Sequence, residues 1–234
     1  MPKVYYGTDD SSESWETHFE QSTAMELDVE RFENEPNPST LHEWQVESPK
    51  GFCFILHADP QVRVRLDALA GPDAEPAVDD ALLEAWDRTL QRADSLGAKA
   101  ILLKTPGSLT PGDANRALLD AFADAVGPDT GPEIIWEPSG MWTIEQTIDA
   151  GKEAGLVPAY NPFMARREEV EFTHGDAAFI ITERAAMRRQ FDTFDFENLL
   201  SWTQKYDRLF CMMRGRHRWA HVDHMRTALE HVER

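Results

Sequence analysis

The chain has 234 residues, a formal net charge of −19 and an apolar fraction of 41%, with seven tryptophans. That composition excludes a disordered chain, and the length suits one large core or two small ones. The negative charge argues against nucleic acid and membrane surfaces as partners, because it repels phosphate backbones and anionic lipid.

No apolar run reaches the ~18 residues needed to cross a bilayer. The opening Met-Pro-Lys-Val-Tyr-Tyr-Gly is too short and polar for a secretory signal, so a cytoplasmic protein is expected. Cys53 and Cys211 each lie in an apolar run, outside any metal or redox spacing, and read as buried reduced thiols.

Val4 to Gly7 is predicted as a first strand, with Thr8 and Asp9 at its end and a helix starting near Ser14 or Trp15. Met25 to Val29 reads as a second strand with Glu26 and Asp28 alternating through it. A helix over Ser39 to Glu47 follows, then an uninterrupted apolar strand, Phe52 to Leu56, ending at His57. Asp59 to Val78 reads as the longest connection. Asp79 to Leu96 carries apolar residues at helical spacing and closes at Gly97.

Ala100 to Leu103 is the fourth strand and ends at Lys104; a helix starts at Thr110 to Asp113 and runs to Val126. Ile134 to Trp136 is the fifth strand, stopping at Glu137 before Pro138, Gly140 and Trp142. Thr143 caps the next helix, and Leu156 to Tyr160 is a sixth strand ending at Asn161. Met164 to Gly175 is expected to be irregular. Ala178 to Thr182, ending at Glu183, and Leu209 to Met213, ending at Arg214, complete the strands. Helices over Asp195 to Tyr206 and His217 to Val232 flank the last one.

Alternating short apolar strands and helices imply a parallel sheet. Eight such units in 234 residues point to a single α/β domain over 1–234, a (β/α)8 TIM-like barrel irregular in its late helices. A doubly wound open sheet is the alternative, but no Gly-x-Gly-x-x-Gly follows any strand.

In such barrels the site lies at the C-terminal strand ends. The candidates there are Glu137, His57 and Lys104 for chemistry, with Glu26, Asp28, Trp136, Trp142, Asn161 and Arg214 for binding. Lys104 and Glu137 fall on consecutive strands and are expected to face each other as an acid, base or anion anchor, or as a structural ion pair. His57 is a candidate general base, or a histidine bonded to a neighbouring loop. His217, His221 and His224 share one helical face, yet Arg216, Arg218 and Trp219 interleave and no Glu-x-x-His accompanies them, so no metal is assigned.

Several segments resemble the YecE-like family, also called domain of unknown function 72. They are Tyr5-Tyr6-Gly7-Thr8, Glu26-Leu27-Asp28, Pro38 to Trp44, Gly51 to Phe54, Leu96 to Pro106, Trp136-Glu137-Pro138 with Gly140 and Trp142, and Asn161-Pro162-Phe163. The resemblance runs from end to end and implies a barrel related to TIM barrels, with no agreed activity. The departures fall at polar positions. The family usually has Lys at His57, Gln at Lys104, Arg at Ser139 and Asp at Asn161, and its seventh- and eighth-strand polar groups fall near Ile181, Glu183 and Met212 to Arg214. Core packing tolerates only apolar exchanges, whereas chemistry depends on particular polar groups.

Two functions follow as expectations. One is a hydrolase, lyase or isomerase acting on a small polar or anionic molecule. The other is a degenerate, non-catalytic barrel that binds a ligand or protein. The sequence names no cofactor and no oligomeric state.

Overall fold

The computed structural model describes residues 1–9, 14–72, 76–127, 131–171, 173–182 and 190–232. Glu183, expected at the end of the seventh strand, lies outside them. The strands are β1 (Lys3–Asp9), β2 (Ala24–Leu27), β3 (Cys53–His57), β4 (Ala100–Lys104), β5 (Glu133–Glu137), β6 (Val157–Tyr160), β7 (Gly175–Thr182) and β8 (Tyr206–Arg214). They form a closed barrel in sequential order, the (β/α)8 topology expected from the alternation.

The helices are α1 (Trp15–Gln21), α2 (Pro38–Glu47), α3 (Pro60–Leu69), α4 (Asp80–Leu96), α5 (Asp113–Val126), α6 (Ile144–Glu153), α7 (Arg167–Glu171), α8 (Thr193–Trp202) and α9 (Arg218–Val232). No helix among the described residues is long and apolar enough to cross a membrane.

Several boundaries differ from expectation. The second strand stops at Leu27, because Asp28 turns to cap a 3-10 turn over Val29–Arg31 by accepting from the Glu30 N–H. The stretch after His57 is helical: Asp59 caps it through the Gln61 N–H, and Pro60 occupies the first turn, where its missing N–H does no harm. Residues Arg167–Glu171 form a short helix inside the stretch expected to be irregular. The helix predicted to reach Tyr206 ends at Trp202, and Tyr206 opens β8.

Residue contacts divide the chain into two compact units. The first comprises Met1–Leu27, Pro49–Cys53 and Tyr160–Arg234. Within it β1 pairs with β2 and β8, and β7 pairs with β8, all parallel. Gly7 is required where β1 meets β2, since a Cβ there would fall 1.8 Å from the Ala24 carbonyl oxygen. Aromatic rings fill the core: Tyr5 stacks on Phe210 at 5.4 Å, and Phe163 on Phe191 at 4.0 Å. The Tyr160 hydroxyl donates to that of Tyr206, which donates to the Val170 carbonyl, so this buried polar chain is satisfied. Cys53 and Cys211 are buried free thiols, as expected.

The second unit comprises Asp28–Ser48 and Phe54–Ala159. Its strands β3 to β6 pair in parallel, His57 lying beside Leu102 and Lys104 beside Glu137. Helix α4 buries Leu82, Ala85, Trp86, Thr89, Ala93 and Leu96, one face of its helical repeat. Asp79 caps its start, and Gly97, at φ 62°, closes its end in the left-handed conformation that glycine tolerates.

Candidate functional site

In the second unit, the ends of β3 and β4 border a cavity of about 240 Å³. Asp28, Glu30, His57, Asp59, Arg63 and Lys104 supply its polar lining. The strands end there because their apolar runs are covered on both faces, and the first polar side chain marks where cover stops.

Asp28 Oδ2 lies 3.3 Å from His57 Nδ1, and Arg31 Nε lies 3.4 Å from the same oxygen. The hydrogen bond with His57 holds the Asp28 carboxyl below the usual carboxylate range, outweighing the upward push of burial. A carboxylate on Nδ1 selects the tautomer in which Nε2 carries the lone pair. Glu30 moves the opposite way: burial first, then the nearby Asp28 and Asp59 charges, raise its pKa.

Lys104 and Glu137 occupy the same register position on β4 and β5, with Nζ 3.9 Å from Oε2. This is ion-pair distance, longer than a hydrogen bond. Several contacts lock the segments that follow. Thr105 N–H donates to the Glu137 carbonyl, the Trp136 indole to Thr105 Oγ1 at 3.1 Å, and the Trp142 indole to the Leu109 carbonyl at 2.6 Å. Gly140, at φ 95°, comes so close to Gly107 that a Cβ would sit 2.9 Å from the Gly107 carbonyl oxygen.

These contacts give the two tryptophans structural positions. Trp136, a binding candidate by sequence, has no exposed surface, so its ring offers no open face to a ligand. Trp142 meets it edge-on at 4.9 Å and carries the Arg116 guanidinium 5.6 Å from its ring centre.

Asp59, Arg88 and Arg92 form a cluster that the sequence reading did not anticipate. Arg88 Nε and Arg92 Nη1 reach Asp59 Oδ2 at 2.9 and 3.2 Å, and Arg92 also pairs with Glu35. The Asp59 N–H donates to the buried Thr89 hydroxyl at 2.9 Å. Burial raises the Asp59 pKa, but the bonds from Arg88 and the Gln61 N–H, with both guanidinium charges, bring it below the usual value. The available signals were the Asp-Pro helix start and the i, i+4 spacing of Arg88 and Arg92 on α4.

In the first unit, Arg214 grips Glu26 with both carboxylate oxygens engaged, and Arg218 Nε lies 3.5 Å from Asp9 Oδ1. Asn161 accepts from the Phe163 N–H at 3.1 Å and donates from Nδ2 to the Thr182 carbonyl at 3.0 Å. An ionised aspartate could not make that second bond. The three histidines at and just before α9 have separate neighbours: His221 is buried near Phe191 and Phe196, His224 bonds Thr193 at 3.0 Å, and His217 lies within 2.8 Å of Gln190. Among the described residues, no group of three or more His, Cys, Asp or Glu side chains is placed to hold a metal.

Comparison with models of protein families gives no match, and comparison with the curated proteins gives none. Solved structures do match in fold. A DUF72 family protein from Thermotoga maritima is 12% identical over 99% of this chain and 100% of its own, with a TM-score of 0.66. A DUF72 family protein from Enterococcus faecalis is 14% identical over 98% of both chains, at 0.68. A xylose isomerase-like TIM barrel/4-hydroxyphenylpyruvate dioxygenase fusion protein is 12% identical over 99% of this chain and 43% of its own, at 0.62. The chain has the fold of the DUF72 proteins. At such identities the likeness is one of fold alone.

Proposed function

We propose that the chain is a divergent relative of the DUF72 proteins that handles a small polar or anionic molecule in the cavity at the ends of β3 and β4. The Asp28–His57 pair on that cavity carries the reading. A carboxylate-oriented imidazole can take up and return a proton, and Lys104 supplies a cation for a carboxylate, phosphate or developing oxyanion. Glu137, whose side chain approaches that of Lys104, is assigned to hold the lysine rather than to move a proton itself. A hydrolase, lyase or isomerase fits these groups. The full-length match to DUF72 structures supports the kinship, and the −19 charge weighs against nucleic acid and anionic membrane surfaces as partners.

Titration calorimetry with malonate and with inorganic phosphate tests the site. Binding by the native protein that disappears in Lys104→Met supports it, whereas equal binding by both would sink it.

A non-catalytic barrel is the second reading. It is favoured by the first unit, where Glu26, Arg214 and Asn161 are already engaged in internal bonds. Turnover of a small molecule that is abolished by His57→Gln would count against it.

A further inference from the structure

His57 and Lys104 border one cavity from adjacent strands. His57 is paired with Leu102, and Lys104 lies two residues further along the same face of β4. Strand spacing and rise put their Cα atoms about 8 Å apart, a gap that side chains and a compound of a few carbons can fill together. Only 11% of the His57 side chain is exposed, and Ala58, Pro60, Val62, Leu102 and Leu103 line the cavity beside the polar groups.

This environment suits one class of proton transfer. No serine, threonine or cysteine lines the cavity among the described residues, which removes a covalent acyl route. A base that is about nine-tenths buried presents little of itself to bulk water, and is well placed to remove a proton from a carbon held against it. A cation beside it stabilises negative charge on an oxygen one bond away.

Resting on the site reading above, we propose that the cavity enolises short-chain carbonyl compounds that carry a hydrogen on the carbon beside the carbonyl. His57 Nε2 takes the proton from the carbon next to the carbonyl. The C–H electron pair becomes the new C=C bond, and the carbonyl π pair moves onto oxygen, facing the Lys104 ammonium. Asp28 stabilises the imidazolium. Return of a proton to the same carbon regenerates the substrate carrying solvent hydrogen, so the step balances without a co-reactant.

The test is exchange in D2O, followed by proton NMR as loss of the α-C–H signal of dihydroxyacetone and of hydroxypyruvate. The native protein should accelerate exchange above buffer for at least one of them. His57→Gln should lower the protein-dependent rate by roughly 100-fold or more, and Asp28→Asn by a smaller factor, with melting temperatures verifying that both variants fold. Exchange that is equal in the native protein and His57→Gln overturns the proposal. Lysine-dependent malonate binding without any exchange also overturns it, while leaving the binding site intact. Absence of both malonate binding and exchange overturns the site and the chemistry together.

Discussion

Arg214 holds Glu26 through two parallel hydrogen bonds, Nε to Oε2 at 3.0 Å and Nη2 to Oε1 at 2.9 Å, with 1% of the Glu26 side chain exposed. Such a pair is stabilising only while both partners are present, because either one alone is a buried charge without its counter-ion. Arg214→Met should destabilise the protein by about 3–5 kcal/mol. The double variant Arg214→Met/Glu26→Leu should regain much of that loss. Urea unfolding of both decides it, and a single variant within ~0.5 kcal/mol of native would contradict the prediction.

His18 makes stability pH-dependent. Burial is the main cause that lowers its pKa from 6.5 to about 4, and its ring packs edge-on against Trp219 at 4.9 Å. Between these values the unfolded chain binds a proton that the folded chain does not, so stability rises with pH across the window. It should be full above pH ~6.5 and fall as the pH drops toward about 4, by up to roughly 3 kcal/mol. The difference between the unfolding free energies at pH 7 and pH 4.5 should be smaller in His18→Phe. An identical pH dependence in the two proteins would refute the assignment.

Asp59 combines a helix cap with a charge cluster, and two substitutions separate these roles. Asp59→Asn keeps an acceptor for the Gln61 N–H but loses the charge facing Arg88 and Arg92, and should cost about 1–2 kcal/mol. Asp59→Ala loses the cap too and should cost about 1 kcal/mol more. Equal urea midpoints for the two variants would show that the cap contributes nothing.

Gly7 and Gly140 should respond to alanine differently. At Gly7 the added methyl would overlap the Ala24 carbonyl at 1.8 Å, a backbone group that cannot swing aside, so Gly7→Ala should yield little soluble protein. Gly140→Ala meets Gly107 oxygen at 2.9 Å and forces a side chain to φ 95°, which should cost about 1–3 kcal/mol yet leave a folded chain. Soluble yield and melting temperature measure both. A well-folded Gly7→Ala protein would contradict the close approach of β1 and β2.

The barrel was legible because its strands are short apolar runs that end abruptly at charged residues, a pattern local enough to read one segment at a time. The pairings of Lys104 with Glu137 and of neighbouring strands follow from that periodicity. The helix after His57 was not legible, because Pro60 and the charged residues around it resemble loop composition, and only the Asp59 cap reveals a helix start. Nor was the partner of Asp28. An acidic residue beyond a strand looks the same whether it faces solvent or a histidine 29 positions later, and only the folded chain shows the 3.3 Å contact. Trp136 shows the opposite case. Its neighbours Glu137 and Pro138 suggest a polar opening, while the ring itself is wholly buried.

Cys211 sits in the middle of β8 with no exposed surface, and burial pushes its thiol far above the ordinary range. Reagents that attack thiolates therefore have to wait until the strand opens. With Cys53 replaced by alanine, the speed at which the protein takes up such a reagent thus reports how often β8 leaves its neighbours β1 and β7.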